Sequence, residues 1–354
     1  MIKYLKSDYR SVGPVHTEIL KQVALIPIPG VPINAFGVVF IDQATGLGYL
    51  ADKSNKAVDI FDTKTDKYLS RITGFVGMTN SGATSGPNGI VAVNGSAELW
   101  VSDGDSTIKV VDLKSNKLVS TVSTGGKERA NAMAYDPIHR VVVVANPNEE
   151  PPFLSLVSTE PGHKILSKIP VEDAAENLER SAYYAPSGTF YTCVPVLRKD
   201  HSQGGLAQTD PTTGKLVKLY EIDHCSPHSI SVVSDSTIFL GCSSAPADSP
   251  FPGAELAVFD ATTGKVVAYG ADLGGSGDTV VNLNLGQYYH ASNNAPGGPA
   301  LKVIDIKTRN LVQKIPTSPG ARSIGVSFAN NHVYLATTAK DGPCGGCIMV
   351  FAPE

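Results

Sequence analysis

The stretch Leu256-Ala-Val-Phe-Asp260-Ala-Thr-Thr-Gly-Lys265-Val-Val267 sets a short apolar run ending in Asp against a second run opening on Lys, with a polar turn between them. Apolar runs of this length, bounded by turn residues, read as two antiparallel strands. The phrase recurs. It stands at Ala57–Asp62 before Lys67, at Ile108–Asp112 before Lys117, at Leu154–Ser158 before Lys164, at Leu206–Asp210 before Lys215, and at Leu301–Asp305 before Asn310. A last copy, Ile348–Phe351, reaches the C-terminus with no strand after it.

Successive copies begin roughly 45 to 52 residues apart, the size of one four-stranded propeller blade and longer than an ankyrin or leucine-rich unit. Two further strand-like runs precede each copy, as in Gly89–Val93 and Glu98–Ser102 around Asn94-Gly95, a strong hairpin signal. The expected fold is therefore all-β: a seven-bladed β-propeller, residues 1–354 as a single domain, with four antiparallel strands per blade. Blades are expected at about 34–74, 86–125, 129–170, 178–222, 226–272, 277–316 and 321–352. The seventh lacks an outer strand, and Glu18–Ile26 resembles one without a blade of its own. Residues 17–27 are thus expected to close the ring, removing two exposed sheet edges. Helical periodicity is weak, its best instance being Val171–Arg180 between blades 3 and 4.

Composition narrows the function. With 42% hydrophobic and 18% charged residues the chain is globular. A net charge of -4 and no run of Lys or Arg interleaved with aromatics leave no footprint for nucleic acid. No apolar run nears the ~18 residues of a membrane span, and Met1–Arg10 carries no apolar signal core, so no membrane partner is expected. Of five cysteines, Cys344 and Cys347 share a tight Gly-Pro-Cys-Gly-Gly-Cys loop, read as a small disulfide or two free thiols rather than a redox pair. The odd count and that loop tilt the localisation toward a secreted or lumenal, oxidising compartment. Nothing in the sequence fixes an oligomeric state.

Strand order sorts residues between two faces. The start of each innermost strand and the second-to-third strand loops share one face, the top, where long loops fall: Asn146–Pro152, Val196–Gly204, Ser243–Gly253, Asn293–Pro299 and Ala339–Gly345. His139, His163 and His332 fall in bottom turns and read as solvated, as does His16 before the closing strand. His201, His224, His228 and His290 fall on the top. Residues ringing the channel mouth, blade by blade, are Asn34, Asn88, Asn131, Glu179 with Arg180, His228, Asp278 and Arg322. Polar residues are tolerated at any wet channel mouth. A His beside acid and guanidinium groups, however, can move protons near neutral pH, and Arg can anchor a carboxylate, phenolate or enolate. His228, Asp278 and Arg322 are the catalytic candidates, with Asn34, Asn88, Asn131, Glu179, Arg180, His290 and Tyr289 as substrate-binding candidates. Phe36, Tyr183 and Tyr288 are nearby aromatics.

The Asp-x-x-Thr-Gly-Lys phrasing at Asp210–Lys215 and Asp260–Lys265 resembles YVTN-type propeller repeats, close to the NHL and gluconolactonase-like propellers. Such Asp residues form turns, and the resemblance speaks to fold rather than function. Gluconolactonase-like propellers hold a divalent cation with Glu, two Asn and Asp. By that resemblance Asn88, Asn131, Glu179 and Asp278 would take Ca2+ or Mg2+ and serve a lactonase. Those enzymes have six blades, and their first-blade Glu meets only Asn34 here. The chain also resembles fungal propeller proteins of natural-product pathways, including hetero-Diels–Alderases that act after dehydration to a quinone methide. That implies a small organic substrate, no cofactor and no metal.

Other signatures fail. His224 and His228 suit zinc or copper only on a helix, which Cys225-Ser-Pro227 disfavours. Gly274–Gly277 does not open a helix, as a phosphate cradle requires, and no Gly-x-Ser-x-Gly elbow occurs. The leading expectation is a metal-independent lyase, isomerase or cyclase working in a top-face pocket, with a cation-dependent lactonase as alternative. A third is a non-catalytic propeller presenting its top to a protein or glycan, since the sole sequon, Asn94-Gly-Ser, lies on the bottom.

Overall fold

In the computed structural model, which describes residues 18–243, 255–272, 277–293, 297–340 and 342–354, seven four-stranded antiparallel sheets stand around a central channel. Blade 1 runs Phe36–Asp42, Leu47–Asp52, Ala57–Asp62 and Lys67–Thr73, and blade 2 runs Ile90–Val93, Glu98–Ser102, Thr107–Asp112 and Lys117–Ser123. Blade 3 comprises Met133–Asp136, Val141–Asn146, Phe153–Ser158 and Ile165–Pro170; blade 4 comprises Ser181–Tyr184, Thr189–Val194, Gln203–Asp210 and Lys215–Asp223. Blade 5 holds Ser226–Val232, Thr237–Ser243, Glu255–Asp260 and Lys265–Asp272; blade 6 holds Thr279–Asn282, Gln287–Ser292, Ala300–Asp305 and Leu311–Pro316. Blade 7 is Ser323–Val326, Val333–Thr337 and Cys347–Pro353, completed by Leu20–Pro27.

The first strand of each blade packs against the first strands of its neighbours, so these seven line the channel. Seven apolar clusters fill the gaps, one between each adjacent pair of blades. Strand alternation explains why: successive residues face opposite neighbours, so each sheet feeds two cores. Closure works as the repeat count requires. Leu20–Pro27 pairs antiparallel with Cys347–Pro353, from Leu20 opposite Pro353 to Pro27 opposite Cys347. The Gln313 side chain fastens this strand to blade 6, accepting from the Leu20 amide at 2.8 Å and donating to its carbonyl at 2.9 Å.

The recurring Asp makes the outer turn of the blades. Asp260 Oδ1 accepts the Thr262 amide at 2.8 Å and the Thr262 hydroxyl at 2.6 Å; Asp210 does the same with Thr212 at 2.7 Å each. These bonds hold both carboxyls below the ordinary carboxylate range. Gly214 and Gly264 then take φ of 66° and 69°, the left-handed conformation that glycine tolerates best, before the fourth strand begins.

Three expectations need correction. Val171–Arg180 is no helix: Ala174–Glu176 pairs with Val196–Leu197, at the start of a long top loop, in a two-stranded side sheet. Val171, Ala174 and Leu178 are buried against blades 3 and 4, which gives an irregular strap the apolar spacing of a helix. The bottom histidines are engaged rather than simply solvated. His139 meets Asp136 at 2.6 Å, His332 meets Asp66 at 3.0 Å, and His163 lies edge-on to Trp100. Asn94 in the sequon is likewise held, donating to Glu98 and to the Thr159 carbonyl. His16, most of Ser243–Gly253, Gly274–Ser276 and part of Asn293–Pro299 lie outside the described residues.

Two disulfides are present, Cys344–Cys347 and Cys225–Cys242, while Cys193 is free and buried. The second joins the approach to blade 5's innermost strand to its neighbour, and so anchors the segment that carries His228. No helix among the described residues is long and apolar enough to cross a membrane.

Candidate functional site

Glu179, Arg180, His228, Asp278 and Arg322 come together at the top of the channel, with Gly37 and Gly277, around a chamber of about 260 Å3. Each stands at or near the start of an innermost strand, and backbone bonds between blades fix their spacing. The Arg180 amide donates to the His228 carbonyl at 3.4 Å, and the Asp278 amide to the Arg322 carbonyl at 2.8 Å. The two glycines keep the wall open at points of close approach: a Cβ on Gly37 would strike the Asn88 backbone, and one on Gly277 the Ala291 carbonyl.

Arg180 spans the channel from blade 4 to blade 6, its Nε donating to Asp278 Oδ1 at 2.6 Å. Asp278 Oδ2 accepts the Ser323 hydroxyl at 2.6 Å. A second cavity of about 170 Å3, lined among others by Val38, Ile90, Met133, Ile230 and Ile324, shares Arg180 and Asp278 with the first. This ion pair therefore stands between the polar chamber and a channel cavity of mixed lining, with Ser181, Ser229 and Thr279 beside the aliphatic side chains. Arg322 donates to the Phe36 carbonyl at 2.6 Å with its guanidinium 5.0 Å from the Phe36 ring centre, and burial lowers its pKa.

His228 is half-buried, and its Nδ1 lies 3.0 Å from the Ser226 carbonyl. A carbonyl only accepts, so Nδ1 is the donor in this contact, which leaves Nε2 as the ring nitrogen available to a ligand. Glu179 Oε1 accepts the Asn177 amide at 2.6 Å.

Two cations that the sequence reading passed over join this group. Arg129 donates to the Gly82 carbonyl at 3.2 Å, yet its buried Nε has no partner. Burial and the neighbouring Arg180 lower its pKa, against the pull of Glu179. Lys53 follows the second strand of blade 1, buried at 8% exposure, with no side-chain hydrogen bond or ion pair among the described residues. Its amine is pushed down to about 7, by burial first and then by Arg129, Arg322 and Arg180, against the pull of Asp103. Asp103 is itself committed to the Val76 and Gly104 amides. The chamber wall thus sets Arg180 and Arg322 against the carboxylates Glu179 and Asp278, and Lys53 and Arg129, which do not line it, add positive charge within electrostatic reach. Lys53 occupies in blade 1 the place that Asp103 takes in blade 2, just after the second strand, so aligning strand ends rather than strand starts would have found it.

The other candidates stand elsewhere. Asn34 is exposed, its amide bonded to Ser54. Asn88 is buried and structural, donating to the Ser85 and Ala130 carbonyls at 2.9 Å each, while Asn131 is buried beside it without lining the chamber. Tyr289 is fully buried between blades 6 and 7, its hydroxyl donating to Gln287 at 2.7 Å. His290 is buried with its Nδ1 unpartnered; burial and Lys302 push it down to about 3, keeping it neutral. Phe36 and Tyr288 are fully buried and Tyr183 packs on Phe190, so among the described residues no Phe, Tyr or Trp lines the chamber.

The donor set does not suit a divalent cation. Asn88 spends its amide on carbonyls, Asp278 is held by Arg180 and Ser323, and the guanidiniums of Arg180 and Arg322 stand beside the two carboxylates. Among the described residues no three His, Cys, Asp or Glu side chains gather as a metal group. What the arrangement can do is hold an anion by guanidinium hydrogen bonds and offer one imidazole nitrogen for proton transfer. No known family model matches the chain, and no curated protein matches it.

Proposed function

We propose that this propeller is an enzyme of the lyase or isomerase class acting on a small organic anion, without a metal, in the chamber at the channel mouth. The observation that carries the reading is the convergence of Arg180, Arg322, Glu179, Asp278 and the His228 imidazole around one polar chamber, with Arg129 within electrostatic reach. Arg322 grips the substrate carboxylate, and Arg129 adds positive charge from nearby. His228 Nε2 takes a proton from the carbon next to a carbonyl, and the guanidiniums stabilise the enolate oxygen as charge builds on it. Arg180 and Asp278 hold each other across the floor and keep the charge pattern fixed. Among the described residues no Phe, Tyr or Trp lines the chamber to align two apolar partners, so cycloaddition is the less supported member of the class. The two disulfides fit an oxidising compartment.

The test is exchange of α-protons for deuterium in a panel of small keto acids, followed by NMR. Wild type should wash out the α-proton of at least one, His228→Gln should lose exchange while still binding, and Arg322→Gln should lose binding. Binding without exchange in any keto acid would leave a binding propeller and refute the catalytic reading.

A further inference from the structure

We infer that the channel cavity beside the Arg180–Asp278 pair is a second subsite for the same ligand, and that it takes the chain of a short carboxylate bearing a hydroxyl group at its far end. The inference rests on the reading of the chamber as an anion site and names the class of molecule that fills it. The two spaces adjoin. Arg180 and Asp278 wall both the chamber of about 260 Å3 and the cavity of about 170 Å3, so a ligand whose carboxylate is held at the mouth has the channel next to it. An apolar cavity of roughly 150 Å3 takes a guest the size of benzene, which gives this one room for a chain of about four to six carbons.

The cavity wall is divided by blade. Blades 1, 2 and 3 contribute Val38, Ile90 and Met133, whereas blades 4, 5 and 6 contribute Ser181, Ser229 and Thr279. The division follows the sequence: in the second group a hydroxyl residue comes directly after the charged residue of the mouth, as Arg180-Ser181, His228-Ser229 and Asp278-Thr279, while Gly37-Val38, Asn88-Gly89 and Asn131-Ala132 carry none. Two of the three hydroxyls are engaged, Ser181 with Thr192 at 2.8 Å and Thr279 with Ser231 at 3.4 Å. Ser229 is 2% exposed, and its hydroxyl has no hydrogen-bond partner. A buried hydroxyl left unmet costs stability, and folds seldom keep one without a use for it. A purely alkyl chain would leave Ser229 unmet, and a polyol would set its hydroxyls against Val38, Ile90 and Met133. A chain with an aliphatic body and one terminal oxygen satisfies both sides of the wall.

The experiment titrates the full chain with the sodium salts of butanoate, pentanoate and hexanoate and of their ω-hydroxy counterparts, with pyruvate as the reference, and follows binding by ligand NMR. Affinity should rise about threefold for each methylene that enters the channel. At one chain length the ω-hydroxy acid should bind about two- to tenfold more tightly than its parent. Ser229→Ala should abolish that preference. The preference is a ratio between two ligands on one protein, so a fall in the folded fraction of the variant does not imitate its loss, and the wild-type series needs no variant. Pyruvate that binds while affinity stays flat along the series, parent acids that bind as well as their hydroxylated forms at every length, or a preference that survives Ser229→Ala overturns the channel subsite and leaves the anion chamber standing. Absence of binding by pyruvate and by every acid overturns both.

Discussion

Replacing Asp278 with Asn is expected to move stability and anion affinity in opposite directions. The Asp278 carboxylate accepts Arg180 Nε and the Ser323 hydroxyl, each at 2.6 Å, with the Arg180 and Asp278 side chains 26% and 16% exposed. Breaking a fully buried pair costs about 3–5 kcal/mol, and losing an exposed one about 0–1. This pair lies between those limits and Asn keeps one acceptor oxygen, so the expected loss is about 1.5–3 kcal/mol. Affinity should rise instead. A chamber of about 260 Å3 holds any bound charge close to its wall. At roughly 5 Å, removing one like charge is worth about 1–3 kcal/mol between a water-like and a protein-like dielectric, which is fivefold to more than a hundredfold in binding. Urea denaturation gives the first number and titration with pyruvate the second. Arg180→Gln combined with Asp278→Asn should recover most of the lost stability, because neither charge is then stranded. A folded Asp278→Asn protein that binds pyruvate no better than wild type would refute the view that this carboxylate competes with the ligand.

Asp59 and Asp52 share the Arg71 guanidinium, and burial, the larger cause, together with Asp52 pushes Asp59 up to about 7. A folded value above the unfolded 3.8 means that this group's contribution is intact below about pH 4 and is lost as pH rises through 7. Asp59→Asn should therefore leave stability unchanged near pH 4 and raise it by about 1–3 kcal/mol above pH 7, read from urea midpoints across that range. A wild-type and variant difference that does not vary with pH would contradict this. Cys225 and Cys242 close a segment with a sequence separation of 17. Replacing both with Ala should cost about 3 kcal/mol in chain entropy and broaden the His228 ring signals, since the bond ties down the start of its strand. Unchanged His228 resonances would mean that the blade holds the ring without it.

The architecture was legible because a propeller repeats its instructions. The strand, Asp, turn, Lys phrase marks the outer hairpins, Asn94-Gly95 marks an inner one, and Glu18–Ile26 without a blade announced the closure. Single-turn chemistry of this kind is local, so sequence carries it. The site is not local. Its residues come from blades 1 and 3 to 7, and only those at strand starts could be placed from the repeat alone. Lys53, after the second strand of blade 1, and Arg129, two residues before Asn131, come within electrostatic reach of the same mouth from positions that the repeat does not single out. Tyr289 and His290 adjoin the sheet's upper half in sequence, but the pleat turns them toward opposite interblade gaps, away from the channel. Asn34 is drawn off by the Ser54 turn. The Cys225–Cys242 bond escaped because it depends on register: Pro227 lies opposite Cys242, which brings two distant cysteines to one sheet end.

The most direct test of the anion chamber is ligand-observed NMR of pyruvate binding to wild type, Arg322→Gln and Arg129→Gln, each with and without EDTA. The expected result is saturable binding to wild type that EDTA leaves unchanged and that each substitution weakens about tenfold, or ~1.4 kcal/mol. Pyruvate that fails to bind, binds equally to all three proteins, or releases when EDTA removes a cation would contradict it.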